Sequence, residues 1–244
     1  MYVVFLILLL IFMIAIPIVE SLIKRNSKKK MKTACDFDKR KSQKNKYHKI
    51  LAWMWGPAVV VFIMSFIGDI SLADLGFRAI SFNYNIWFTS IALIASGLVI
   101  IYSWYSIILS LLSKKFKEKM KAEIAAYNDG EMDILPRTKK EKWMYVLVSS
   151  SSGICEEFVY RGFALFLLQA VFPGIPILII VLFSCMMFGI GHIYQGWEGI
   201  IETGLIGAIF MGVLIATNSI IPVMILHFLS NVSGTFFLPD ESTL

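Results

Sequence analysis

Seven apolar runs separated by polar connections dominate this chain of 244 residues. A bilayer core of about 30 Å takes about 20 helical residues to cross. Runs of that order fall at Tyr2–Ile23, Leu51–Ile67, Trp87–Leu112, Trp143–Phe172, Ile175–Ile193, Ile201–Ala216 and Ile220–Leu238. Hydrophobic residues make up 57% of the chain and charged residues only 16%, which departs from soluble globular composition. A lone spanning segment must satisfy its own backbone hydrogen bonds, which selects helices, and the runs lack the alternation of barrel strands. The expected fold is all-α: a polytopic transmembrane helix bundle of about seven spans, with the lipid bilayer as its surroundings.

The net charge of +6 invites a nucleic-acid reading, but its placement argues against one. All of the 23 Lys and Arg except Arg78 and Arg161 lie in two segments, Lys24–Lys49 and Lys114–Lys142. Both are short connections beside spans, and two spans separate them, so the positive-inside rule puts both in the cytosol and the N-terminus outside. The basic loops read as a topology signal in preference to specific lipid or nucleic-acid binding; contact of the first loop with anionic lipid would be worth about 1 kcal/mol per basic residue near the surface. No nucleic-acid partner is expected. Met1–Ile23 lacks a basic leading region and a small-residue cleavage site, so it reads as a retained anchor. Cys35, Cys155 and Cys185 imply no disulfide framework.

The chain divides by character into residues 1–142, with three spans and the two basic cytosolic loops, and residues 143–238, a four-span core that carries every candidate functional group. Asp69, Asp74 and Arg78 belong to an amphipathic outer connection expected at the interface. Lys114 to about Tyr127 reads as a surface helix stopped by the Asn-Asp-Gly turn at 128–130. Gly204, Ala208, Gly212 and Ala216 form a small-residue stripe suited to close packing inside the bundle.

Ionisable groups inside apolar helices cost several kcal/mol, so they carry a task or a partner. Glu156, Glu157 and Arg161 sit in SSGICEEFVYRGFALFL, His192 in FGIGH, and His227 and Asn231 in HFLSN. Residues four apart share a helix face, so Glu157 and Arg161 can pair. Glu156 points about 100° away and is free to face a cavity as a base. His227 and Asn231, also four apart, can donate to a developing oxyanion. Alternatively Glu156, His192 and His227 can hold one divalent metal ion, with zinc as the natural choice, although no HExxH is present. Counted along straight helices, His192 falls nearer the cytosolic face than Glu156 or His227. Cys155 reads as a small packing residue, Glu198 and Glu202 as interfacial, and Tyr194, Gln195 and Trp197 as an interfacial anchor.

Together, EEFVYRG, FGIGH and HFLSN match EExxxR, FxxxH and HxxxN in that order on successive membrane helices. Over about Trp143–Gly234 the chain resembles the CAAX-processing and bacteriocin-processing (Abi, CPBP) family of intramembrane proteases. The resemblance implies an endopeptidase with a membrane cavity open to the cytosol, of glutamate/histidine or metalloprotease type. Glu156 and His192 would activate water, His227 and Asn231 would stabilise the oxyanion, and Glu157 with Arg161 would be the supporting ion pair. A bias toward Lys, Ile and Asn points to a bacterial cell membrane. Expected substrates are then membrane-associated peptides or proteins, such as pheromone or bacteriocin precursors or membrane-bound regulators. A non-catalytic bacteriocin-immunity or scaffold protein is the alternative, marked by indifference to loss of Glu156. A proton-coupled transporter finds no support in inverted repeats or paired broken helices.

Overall fold

The computed structural model describes residues 1–11, 14–15, 36–82, 84–126, 136 and 138–236. Among these the chain is all-helical, with no strand. The helices are α1 (Tyr2–Ile11), α2 (Asp36–Ile67), α3 (Ile86–Leu112), α4 (Lys114–Ala126), α5 (Lys139–Glu157), α6 (Ala164–Val171), α7 (Ile177–Gly191), α8 (Gly196–Thr217) and α9 (Ile221–Val232). Three segments among the described residues are long and apolar enough to cross a membrane: Tyr47–Ile67, Ile86–Leu112 and Ile193–Thr217. The bulky side chains on their outer faces, such as Phe62, Phe66, Trp87, Ile91 and Ile94, are exposed as a lipid-facing surface would be. The molecule is an integral membrane helix bundle. Cys35, the second half of the N-terminal anchor at 16–23, the turn at 128–130 and the end of the seventh run at Leu238 lie outside the described residues.

Helix boundaries follow local chemistry. Asn85 caps α3 by accepting from the backbone N–H groups of Trp87 and Phe88, and Thr138 and Glu141 form a reciprocal capping box at the start of α5. α7 begins after the Pro-Gly-Ile-Pro turn, in which Gly174 takes a φ of +79°. α8 starts at Gly196 and runs 22 residues, longer than the run of apolar residues from Ile201, because Trp197–Ile200 continue the helix. α2 departs from the sequence expectation in the same direction. Its helix takes in the basic stretch from Asp36, which contains neither Gly nor Pro to stop it.

The connection between α2 and α3 is a run of turns docked on the bundle. Ile70 and Leu75 are buried while Asp69, Asp74 and Arg78 stay exposed. Ser71 donates to the Asp74 carboxylate through its hydroxyl and its backbone N–H, and these bonds hold that carboxyl below its ordinary range. The segment is strapped to the α8–α9 turn: Ile220 N–H donates to Gly76 O at 2.8 Å, Ser81 N–H to Thr217 O at 2.9 Å, and the Ser219 hydroxyl to Arg78 O at 2.8 Å.

Close backbone approach sets the packing around the site. α7 and α8 meet at Gly189, where a Cβ would lie 2.7 Å from Ile200 O, and at Gly204 and Gly207, which face Cys185 and Phe188. Farther along the small-residue stripe, Gly212 turns instead to Ala92 of α3, so the stripe serves two partners within the bundle. α5 and α9 meet at Gly153, where a Cβ would lie 2.8 Å from Met224 O and 3.2 Å from Phe228 N. Backbone cannot yield there as a side chain can. Gly153→Ala is therefore expected to destabilise the bundle by about 1–3 kcal/mol, the usual cost of overpacking, read from the unfolding midpoint in detergent micelles. A wild-type midpoint would contradict the close approach.

Candidate active site

The polar centre is built on the end of α5, where the helix changes pitch. α5 passes at Phe158–Phe163 into a turn of π-helix and resumes as α6. Such wide turns concentrate at functional sites in proteins. At Gly162 the connection between α2 and α3 comes close: a Cβ would lie 2.7 Å from Leu75 O. The three charged residues of EEFVYRG straddle the junction, with Glu156 and Glu157 on the last turn of α5 and Arg161 in the π turn.

The two carboxylates have different surroundings. Glu157 and Arg161 are fully buried, and Arg161 Nη1 donates to Glu157 Oε1 at 2.9 Å. The same Glu157 oxygen lies 2.6 Å from Nδ1 of His227 on α9. Buried charge must be paired and hydrogen-bonded to be tolerated, and this Arg–Glu–His chain meets that need in part. Among the described residues, Glu157 Oε2 and Arg161 Nε and Nη2 have no protein hydrogen-bond partner. The guanidinium carbon instead lies 4.0 Å from the centroid of the Phe188 ring, a cation–π contact. Glu156 keeps 19% of its side chain exposed, with Oε2 3.9 Å from His227 Nε2.

Ser152, one helical turn before Glu156, lies at the meeting point of α5 and α9. Its hydroxyl donates to Glu156 Oε1 at 2.8 Å, accepts from Asn231 Nδ2 at 3.1 Å, and lies 3.2 Å from His227 Nε2. α7 contributes through Phe188. Besides Arg161, its ring touches His192 and, edge-on, His227, with centroids 4.8 Å and 5.9 Å apart. His192 follows the last residue of α7, and its Nδ1 donates to Phe188 O at 2.9 Å. A carbonyl only accepts, so Nδ1 carries the hydrogen and Nε2 is the nitrogen left for chemistry.

The structure thus gathers Glu156, Glu157, Arg161, His192, His227 and Asn231 from α5, the π turn, α7 and α9. Phe188, one turn before His192, is in contact with both histidines. Sequence reasoning missed Ser152 and the bond from Glu157 to His227. Among the described residues no group of three or more His, Cys, Asp or Glu is disposed to hold a metal ion. His227 already turns Nδ1 to Glu157 and Nε2 to Ser152, so Glu156, His192 and His227 are not a ready-made ligand set in this arrangement. Cys155 is a buried free thiol within the apolar core. Glu198 and Glu202 lie apart from the cluster, lining with Leu98, Tyr102, Ile201 and Leu205 a groove of about 570 Å³ between α3 and α8.

Comparison with known proteins fits this geometry. Residues 138–233 match the family model described as type II CAAX prenyl endopeptidase Rce1-like. The match begins at the capping threonine of α5 and ends one residue past α9, so it encloses the whole polar centre. The matched segment is similar to that family over well under half of the chain. No curated protein and no solved structure matches the chain.

Proposed function

We propose that this chain, carrying a CAAX-protease-type segment over residues 138–233, is an intramembrane endopeptidase that cleaves membrane-associated peptide or protein substrates with a water activated by Glu156 and His192. The observation that carries the proposal is the unequal carboxylate pair. Glu157 is sealed between Arg161 and His227, whereas Glu156, its neighbour in sequence, stays partly exposed with Oε2 3.9 Å from His227 Nε2.

In this reading Glu156 takes a proton from water while His192 Nε2 orients the same water. Asn231 gives one amide N–H to Ser152 and keeps the other for the oxygen of the tetrahedral intermediate, with His227 Nε2 beside it. Glu157 and Arg161 hold the His227 ring in place. The reading divides the chain into an N-terminal part, 1–142, with the basic loops in the cytosol and the N-terminus outside, and a catalytic core, 143–238. Precursors of pheromones or bacteriocins and membrane-bound regulators are the proposed substrates, and a bacterial cell membrane the proposed setting.

The experiment compares terminus-labelled membrane and secreted peptides from cells carrying the wild-type protein, Glu156→Gln at equal membrane level, or neither. A peptide terminus that requires Glu156 supports proteolysis and names a substrate. If Glu156→Gln restores every wild-type effect and no terminus changes, the immunity or scaffold reading replaces this one. Treatment of purified protein with a chelator, followed by zinc, tests the expectation of one bound divalent ion. Cleavage that falls and returns with zinc supports Glu156, His192 and His227 as ligands; cleavage that does not change leaves the side chains acting unaided.

A further inference from the structure

We propose that Ser152 is a positioning residue of this site, its hydroxyl tying Glu156, His227 and Asn231 to a single point. Ser152 belongs to none of EExxxR, FxxxH or HxxxN and lies in a run of four serines, Ser149–Ser152, that reads as helix packing. The hydrogen-bond inventory gives it a different part. A serine hydroxyl has one hydrogen to donate and two lone pairs with which to accept. The shortest of its three contacts, 2.8 Å, runs to a carboxylate oxygen of Glu156 that only accepts, so the hydrogen goes there. One lone pair then takes Asn231 Nδ2 at 3.1 Å; Nδ1 of His227 gives its hydrogen to Glu157, so Nε2, at 3.2 Å, donates to the second lone pair when the ring carries a hydrogen on both nitrogens. In that form every bonding position of the hydroxyl is used. Ser152 is 4% exposed, so a lost contact there is not made good by bulk water.

The consequence is geometric. Glu156 stands on α5, while His227 and Asn231 stand on α9, more than 70 residues later. Gly153 lets those two helices approach closely, and Ser152 converts the approach into fixed side-chain directions. His227 is thereby held at both ends of its ring, Nδ1 on Glu157 and Nε2 on Ser152. Without the hydroxyl, Nε2 and the Asn231 amide lose their shared acceptor, and Glu156 loses its donor.

The hydrogen-bond network stands on the structure alone; its importance to turnover rests on the peptidase reading. The test has one arm for each. The chain has three histidines, His48, His192 and His227, so ¹⁵N-histidine labelling of the full chain in lipid nanodiscs gives three imidazoles, with His227 assigned by His227→Gln. Ser152→Ala should move the His227 Nε2 resonance by more than its line width and leave His48 in place, and Ser152→Thr, which keeps the hydroxyl, should restore it. On the peptide terminus found to require Glu156, Ser152→Ala should lower the cleavage rate about 10- to 100-fold, the usual effect of losing a group that orients reacting side chains, and Ser152→Thr should recover most of it. Unchanged His227 resonances in Ser152→Ala would overturn the network. Moved resonances with a wild-type cleavage rate would overturn the positioning role. Should Ser152→Ala fail to fold, a Ser152→Thr protein with a displaced Nε2 resonance beside an unchanged His48 signal would overturn the proposal as well. The spectroscopic arm keeps its meaning if no terminus depends on Glu156.

Discussion

Glu156→Gln is expected to lower the yield of product termini by about 10²- to 10⁴-fold, the range a positioned general base contributes, with no loss of protein from the membrane. The amide keeps the shape of the side chain and an oxygen that can accept from the Ser152 hydroxyl, so the helix contacts survive and the basicity is lost. Glu157→Gln should behave differently. Glu157 is fully buried and bonded on one oxygen to both Arg161 and His227, so its loss falls first on the fold. Adjacent carboxylates, one governing rate and the other stability, should therefore separate in a paired measurement of membrane level and terminus yield. A Glu156→Gln protein that cleaves at the wild-type rate would leave the proposed chemistry without its base.

Arg161→Met should be among the most damaging single changes to stability, at about 3–5 kcal/mol, because it leaves the Glu157 carboxylate buried without its cation. Removing both charges should cost less than removing one. In Glu157→Gln/Arg161→Met the amide oxygen still faces His227 Nδ1, and the methionine packs against Phe188 where the guanidinium lay. Unfolding of purified protein in micelles, with both single variants and the double, measures the coupling. Equal losses for the double and for Arg161→Met alone would mean that the pair is not what the buried centre depends on.

Much of the fold could be read from the chain because a bilayer imposes a simple rule on length and polarity. The helices near Leu51–Ile67 and Trp87–Leu112 emerge close to where apolarity places them, and the surface helix ends one residue before Tyr127. Connections were harder to read. The docked turns at 68–82 depend on Gly76, Ser81 and the α8–α9 turn meeting in space, and no local pattern announces such a meeting. In the candidate site, the contact between Glu157 and Arg161 is local and follows from helix geometry. The bond from Glu157 to His227 joins positions 70 apart and depends on how α5 and α9 pack. The π turn carries no sequence signature of its own, and Ser152 hides among serines that small-residue packing explains equally well.

The ion pair between Glu157 and Arg161 lies within one continuous helical stretch, and this has a bearing on how the chain enters the membrane during synthesis. α5 is not among the segments that length and apolarity alone would hold in a bilayer, and His227 reaches it only after three more helices have been made. Until then Glu157 has only the partner that its own helix supplies. An i,i+4 partner is available as soon as that turn forms, so each charge can shield the other before any neighbouring helix exists. Arg161 is then a chaperone of its own segment first and a fixture of the finished site afterwards.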